Sequence, residues 1–153
     1  MTGSTPFSIE ASDNFKRSFK KLAKVHRDSF VAVIGKTLED LIDDQYPNNS
    51  RNEPLPGKTQ LPEDWTFHKL EIRFAKGASG QIILMYLVNA TTCTIRLVWI
   101  YSHEQFAQRP ADDDLKSVLR EILDFSVYIL TENLRLLTHR FVQISLKLHP
   151  PKN

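Results

Sequence analysis

The sequence contains a single cysteine, Cys93, in 153 residues. One thiol excludes an intramolecular disulfide and a cysteine-built zinc cage. No apolar run approaches the length of a membrane span, and the start, MTGSTPF, has neither the basic head nor the apolar core of a signal peptide. A cytoplasmic chain with no membrane partner is the expectation. Net charge is small too: +2 at pH 7 does not demand nucleic acid as a partner. Repeats, low-complexity tracts and interdomain linkers are absent. His139 and His149 lie far apart with no other ligand pattern around them, so no metal or other cofactor is expected. The apolar share of 41% with 25% charged residues is that of an ordinary soluble domain, long enough to bury one core.

The stretch from Trp65 to Phe106 organises the chain. It reads WTFHKLEIRF, QIILMYLVNA and TIRLVWIYSHEQF, with AKGASG and NATT supplying turns. Runs rich in β-branched and aromatic residues joined by short turns predict a three-stranded antiparallel meander. In the first run Lys69, Glu71 and Arg73 alternate with Leu70, Ile72 and Phe74, so one face of that strand is polar. The last run delivers Ser102-His103-Glu104-Gln105-Phe106 at its end. A polar strand face beside a strand-end histidine is the best candidate site.

Before the meander, residues 7–11 alternate weakly and predict a short strand. Ser12 or Asp13 then caps a helix, because their oxygens accept from the free amides of a first turn. Phe15, Phe19, Leu22 and Val25 follow at helical spacing, with Lys16, Arg17, Lys20, Lys21, Lys24 and Arg27 on the remaining surface. Asp28-Ser29 reads as a break, after which Phe30, Val33, Ile34, Leu38, Leu41 and Ile42 resume the period. Two helices joined so tightly predict an antiparallel hairpin on the meander's apolar face. Residues 46–64 hold four prolines and read as a loop. Trp65 and Trp99 read as core, and Cys93 has no setting that would activate it.

After Pro110, Asp112-Asp113-Asp114 opens a helix whose stripe runs through Leu115, Leu119, Ile122, Ile129, Leu130 and Leu137. It is expected to pack on the sheet or on a second copy of the chain, with a built-in blocker of the polar groove as the rival use. Val142, Ile144, Leu146 and Leu148 alternate like a strand, yet also suit the last turns of a helix. The fold class is therefore α+β: a strand and helix hairpin on a small, mostly antiparallel sheet, plus a long C-terminal helix.

This order of elements, with FSIEASDNFKRSFKKLAK at the start, Leu55-Pro-Gly57 before the sheet, WTFHKLEIRF in it and YSHEQF after it, resembles the RelE/ParE superfamily of bacterial toxins from toxin–antitoxin pairs. SHEQF looks most like the YafQ branch. The resemblance spans residues 5–110. It implies a toxin domain over 1–110 with a helical extension over 111–153. The implied activity is a metal-free endoribonuclease that cuts messenger on the ribosome, and the implied partner is a small antitoxin. In that chemistry a base takes the proton of a ribose 2′-hydroxyl, an acid protonates the leaving oxygen, and cations hold the developing charge.

Carried over by position, His103 is the general acid or base, and Lys69 and Arg73 complete the catalytic set. Glu71 lies on the same messenger-facing strand, and His68 takes the place of Lys69 if the register slips by one. Phe106 matches the aromatic beside the scissile bond, and Arg109 stands for a late cation. Lys20 and Lys24 belong to a basic helix that either meets ribosomal RNA through its phosphates or is simply solvated. Gln81 occupies the start of the middle strand, where most active members carry arginine. Two alternatives stay open: a ParE-like poison of DNA gyrase without nuclease activity, and a catalytically silent member kept for protein interaction.

Overall fold

In the computed structural model, residues 5–124 are described. The order of elements is β1 (Ser8–Ala11), α1 (Asp13–Asp43), β2 (Ser50–Asn52), β3 (Trp65–Arg73), β4 (Gln81–Asn89) and β5 (Thr94–Ser102), and residues 112–124 are helical. The chain divides into two compact units, residues 1–119 and 120–153. The expectations for Ile129, Leu130, Leu137, the Val142–Leu148 alternation, His139 and His149 fall outside the described residues. No helix among the described residues is long and apolar enough to cross a membrane.

The sheet order is β1-β5-β4-β3-β2. The three meander strands pair antiparallel as their turns require, and β1 joins the far edge parallel to β5, Ser8 opposite Thr94 and Ala11 opposite Leu97. The fold is α+β.

α1 begins where Ser12 Oγ accepts the Phe15 amide at 3.1 Å. It does not run straight. Arg27 has φ 61° and ψ −149°, outside helical values, and the two arms fold back on each other there. The rings prove the reversal. Phe19 and Phe30 stack with centroids 5.7 Å apart, whereas eleven residues of straight helix would separate them by about 16 Å. The hairpin break thus falls one residue before Asp28-Ser29. Phe15, Leu22, Phe30, Ile34 and Leu41 form one core with Leu70, Ile72, Ile82, Leu84, Tyr86 and Leu97 of the sheet. Each such buried side chain contributes about 1.5–3 kcal/mol.

The expectation of an unstructured loop over 46–64 needs correction: β2 lies inside it. Ser50, Arg51 and Asn52 have little strand propensity of their own, but β3 offers an unpaired edge and they pair with Leu70, Lys69 and His68. The polar face of β3 does not extend across the second face of the sheet, the one away from the helices. Only β3 carries the alternating charges. On β4, Ile83, Met85 and Leu87 lie on that face and are at most 2% exposed, as is Tyr101 on β5. The middle of the sheet is therefore buried on both faces.

One irregularity positions the site. Met85 pairs with Trp99 but Tyr86 pairs with Leu97, so Val98 is an extra residue on β5. Such a bulge shifts the in–out alternation by one beyond it. Ile95 and Leu97 face the helices before it, and Ile100 does so after it.

Candidate functional site

Because of the bulge, Trp99, Tyr101 and His103 occupy the second face. His103 donates its amide to Gln81 O at 3.0 Å, and Gln81 pairs with Arg73. His103, Gln81 and Arg73 thus form a row across the end of three strands on one face. Two strand spacings put the ends of the row about 10 Å apart at Cα. The imidazole Nδ1 lies 3.1 Å from Ala107 O. A carbonyl only accepts, so Nδ1 carries the proton and Nε2 of the neutral ring is left as an acceptor. Arg73 is exposed and has no ion pair among the described residues. The SHEQF turn itself is closed by amides of Gln105 and Phe106 donating to Ser102 O at 3.0 and 3.1 Å. Phe106 packs edge-on against Tyr101 and Trp99, at 5.5 and 6.0 Å.

Lys69 lies on the same face but four residues along β3 from Arg73, about 13 Å away. It is not free. Its ammonium is 3.4 Å from Glu53 Oε2, and Arg109 Nη1 is 3.0 Å from Glu53 Oε1. The Glu53 side chain is only 6% exposed. Arg109 also binds Asp112 at 2.7 Å and Pro54 O at 2.7 Å. The chain after β5 therefore passes over Tyr101, whose hydroxyl donates to Gln108 O at 3.2 Å, and is pinned beside β2. Burial, reinforced by the Glu53 charge, holds that phenol well above its ordinary pKa. Glu71 pairs with Arg51 at 2.8 Å.

His68 faces the helices, which decides the register: Lys69, Glu71 and Arg73 are the second-face set. His68 is 4% exposed, stacks on Tyr86 at 5.4 Å and lies 2.7 Å from Thr66 Oγ1. Burial lowers its pKa below 6.5. Lys20 and Lys24 are exposed on the first arm of α1, away from the row. The fold thus brings together His103, Gln81 and Arg73, and separately Lys69 and Arg109. Among the described residues no group of three or more His, Cys, Asp or Glu side chains is placed to hold a metal ion.

Sequence reasoning missed Glu53, which has no local signal between Asn52 and Pro54. It also passed over Asn14 and Ser18, which with Arg17 and Lys21 of the basic surface mark one polar helix face at spacings of three and four residues.

No family model matches the chain, and no curated protein matches it. Among solved structures it is similar to the solution structure of the conserved hypothetical protein HP0892 from Helicobacter pylori. Identity is 23%, the TM-score is 0.41, and the match covers 65% of this chain and 97% of that one. A likeness at this level assigns no activity.

Proposed function

We propose that this chain is a toxin of the RelE/ParE kind, an endoribonuclease acting on ribosome-bound messenger, neutralised by a small antitoxin. The observation that carries the reading is the row of His103, Gln81 and Arg73, a strand-end imidazole and a guanidinium on one face about two strand spacings apart. A phosphodiester between them meets a base on one side and a cation on the other. Nε2 of His103 takes the proton of a 2′-hydroxyl, and that oxygen attacks the adjacent phosphorus. The bond to the 5′-oxygen breaks, that oxygen takes a proton from water, and the proton held by His103 returns to solvent. The products are a 2′,3′-cyclic phosphate and a 5′-hydroxyl end. Arg73 holds the negative charge that grows on the phosphoryl oxygens, and Gln81 offers an amide between the two. In this reading residues 1–110 are the toxin part and 111–153 an extension.

A second reading, a silent member that binds protein without cutting RNA, is favoured by the Glu53 contacts. Lys69, which the resemblance places toward the messenger, and Arg109, its late cation, are both tied to one buried carboxylate, and Arg109 to Asp112 as well. Mapping messenger 5′ ends in a translation extract separates the readings. New in-frame ends with the natural protein, and none with His103→Ala, are the expected result. No new ends from either folded protein would sink the nuclease reading, and a DNA-damage response on induction would turn attention to gyrase.

A further inference from the structure

Between the first arm of α1 and the end of β5 lies a cleft of about 170 Å³. Asn14, Arg17, Ser18 and Lys21 make its helical wall, Trp99 and Ile100 its floor, and Gln105 and Phe106 its rim. The hydrogen bonds show which groups hold the wall and which are left for a ligand. Ser18 Oγ has its proton committed, donating to Phe15 O at 3.0 Å while accepting the Ile100 amide at 3.3 Å. Asn14 Nδ2 donates to Val98 O at 3.1 Å, which leaves its Oδ1 as an acceptor. Gln105 Oε1 accepts the Ser102 amide at 3.0 Å, which leaves its Nε2 as a donor. Arg17 and Lys21 are exposed, and neither has an ion pair with a described residue. Asp13 and Glu104, the acids next to the lining residues in sequence, do not line the cleft.

The cleft therefore offers two uncompensated positive charges, one amide donor, one amide acceptor and two aromatic rings. Cations next to aromatic surface are the composition that holds single-stranded nucleic acid. The volume is below the ~300 Å³ of a drug-sized pocket, so it suits one flat base with its phosphate at the mouth. An acidic peptide satisfies the cations, and its backbone the amide pair, but its carboxylate side chains offer the two rings no flat face to stack on.

We propose that this cleft takes one unpaired nucleotide of single-stranded RNA, its phosphate on Arg17 and Lys21 and its base against Trp99 and Phe106. The inference rests on the RNA-directed reading above and adds the route of the strand. Gln105 and Phe106 belong to the same tight turn as His103, so a strand held in the cleft continues toward the His103 row.

The test is fluorescence anisotropy of a labelled hexauridylate with the full chain and no ribosome. Arg17→Ala/Lys21→Ala is compared with Lys58→Ala/Lys76→Ala, which removes equal charge from exposed residues outside the cleft. The first pair is expected to weaken binding about tenfold and the second less than about twofold; the plot of log affinity against log salt should flatten by about 1.4 for the first pair. With charge screened at high salt, Trp99→Leu is expected to cost about tenfold. Equal effects of the two charge pairs would overturn the cleft. So would failure of the natural protein to bind, or displacement of the label by hexaglutamate as readily as by unlabelled hexauridylate. New messenger ends from Arg17→Ala/Lys21→Ala at the natural rate, with unchanged binding, would refute the cleft and leave the nuclease standing. Cleft-dependent binding with no messenger cleavage would do the reverse.

Discussion

Replacing Glu53 with glutamine removes one charge and almost no volume. Each carboxylate oxygen of Glu53 serves one cation, Oε2 for Lys69 and Oε1 for Arg109, whose side chains are 16% and 21% exposed. Breaking a buried pair by removing one partner costs about 3–5 kcal/mol, because the remaining charge is stranded. Both cations here keep some contact with water, so the cost falls below that range and about 2–3 kcal/mol is expected. For a chain of this length that corresponds to a fall in Tm of roughly 4–12 °C.

Urea unfolding followed by tryptophan fluorescence measures the loss, and Lys69→Met with the double variant closes a mutant cycle. A coupling of about 1 kcal/mol or more between the two sites is expected. A loss below about 0.5 kcal/mol, or effects that simply add, would refute a carboxylate buried between these cations. The result also bears on function, since Glu53→Gln frees Lys69 for phosphate while Arg109 keeps Asp112. Tighter RNA binding by the variant would identify Glu53 as the group that restrains Lys69.

Three further outcomes are expected. Arg27→Gly should raise Tm by about 2–4 °C, since glycine adopts φ 61°, ψ −149° without the strain an L side chain bears; a lower Tm would show that Arg27 is not strained there. Gly80→Ala should destabilise by about 2 kcal/mol, measured by urea midpoint, because its methyl would collide with backbone atoms of Ala75 in the turn that leads into Gln81; an unchanged midpoint would contradict that packing. His68 binds a proton more readily in the unfolded chain, so stability is complete above pH 6.5 and declines as pH falls below it. His68→Gln should lose less stability between pH 7 and pH 5 than the natural protein, and an equal loss would remove His68 as the cause.

Much of the fold was legible because it rests on local chemistry. WTFHKLEIRF, QIILMYLVNA and TIRLVWIYS carry their own strand propensity and turns, and they became β3, β4 and β5. The spacing of Phe15, Phe19 and Leu22, the break before Phe30, and the Ser12 cap are likewise properties of a few neighbouring residues. β2 was not legible. Ser50, Arg51 and Asn52 become a strand only because the edge of β3 accepts them. The second face of β4 was not legible for a related reason: charges on β3 said nothing about Met85 and Leu87, whose burial depends on the rest of the chain.

The candidate site divides along the same line. The sequence by itself determined that a histidine follows the last strand and that Lys69, Glu71 and Arg73 share a face opposite Leu70 and Ile72. These follow from the two-residue period of a strand. Which face the histidine joins was decided only by tertiary structure. Counted straight from Leu97, His103 would look toward the helices. The extra residue at Val98 reverses that alternation and aligns His103 with Gln81 and Arg73. A bulge is set by the pairing of β4 with β5 and by Ser12 and Asn14 holding Val98 O, contacts that span more than eighty residues of chain. No local pattern carries that information.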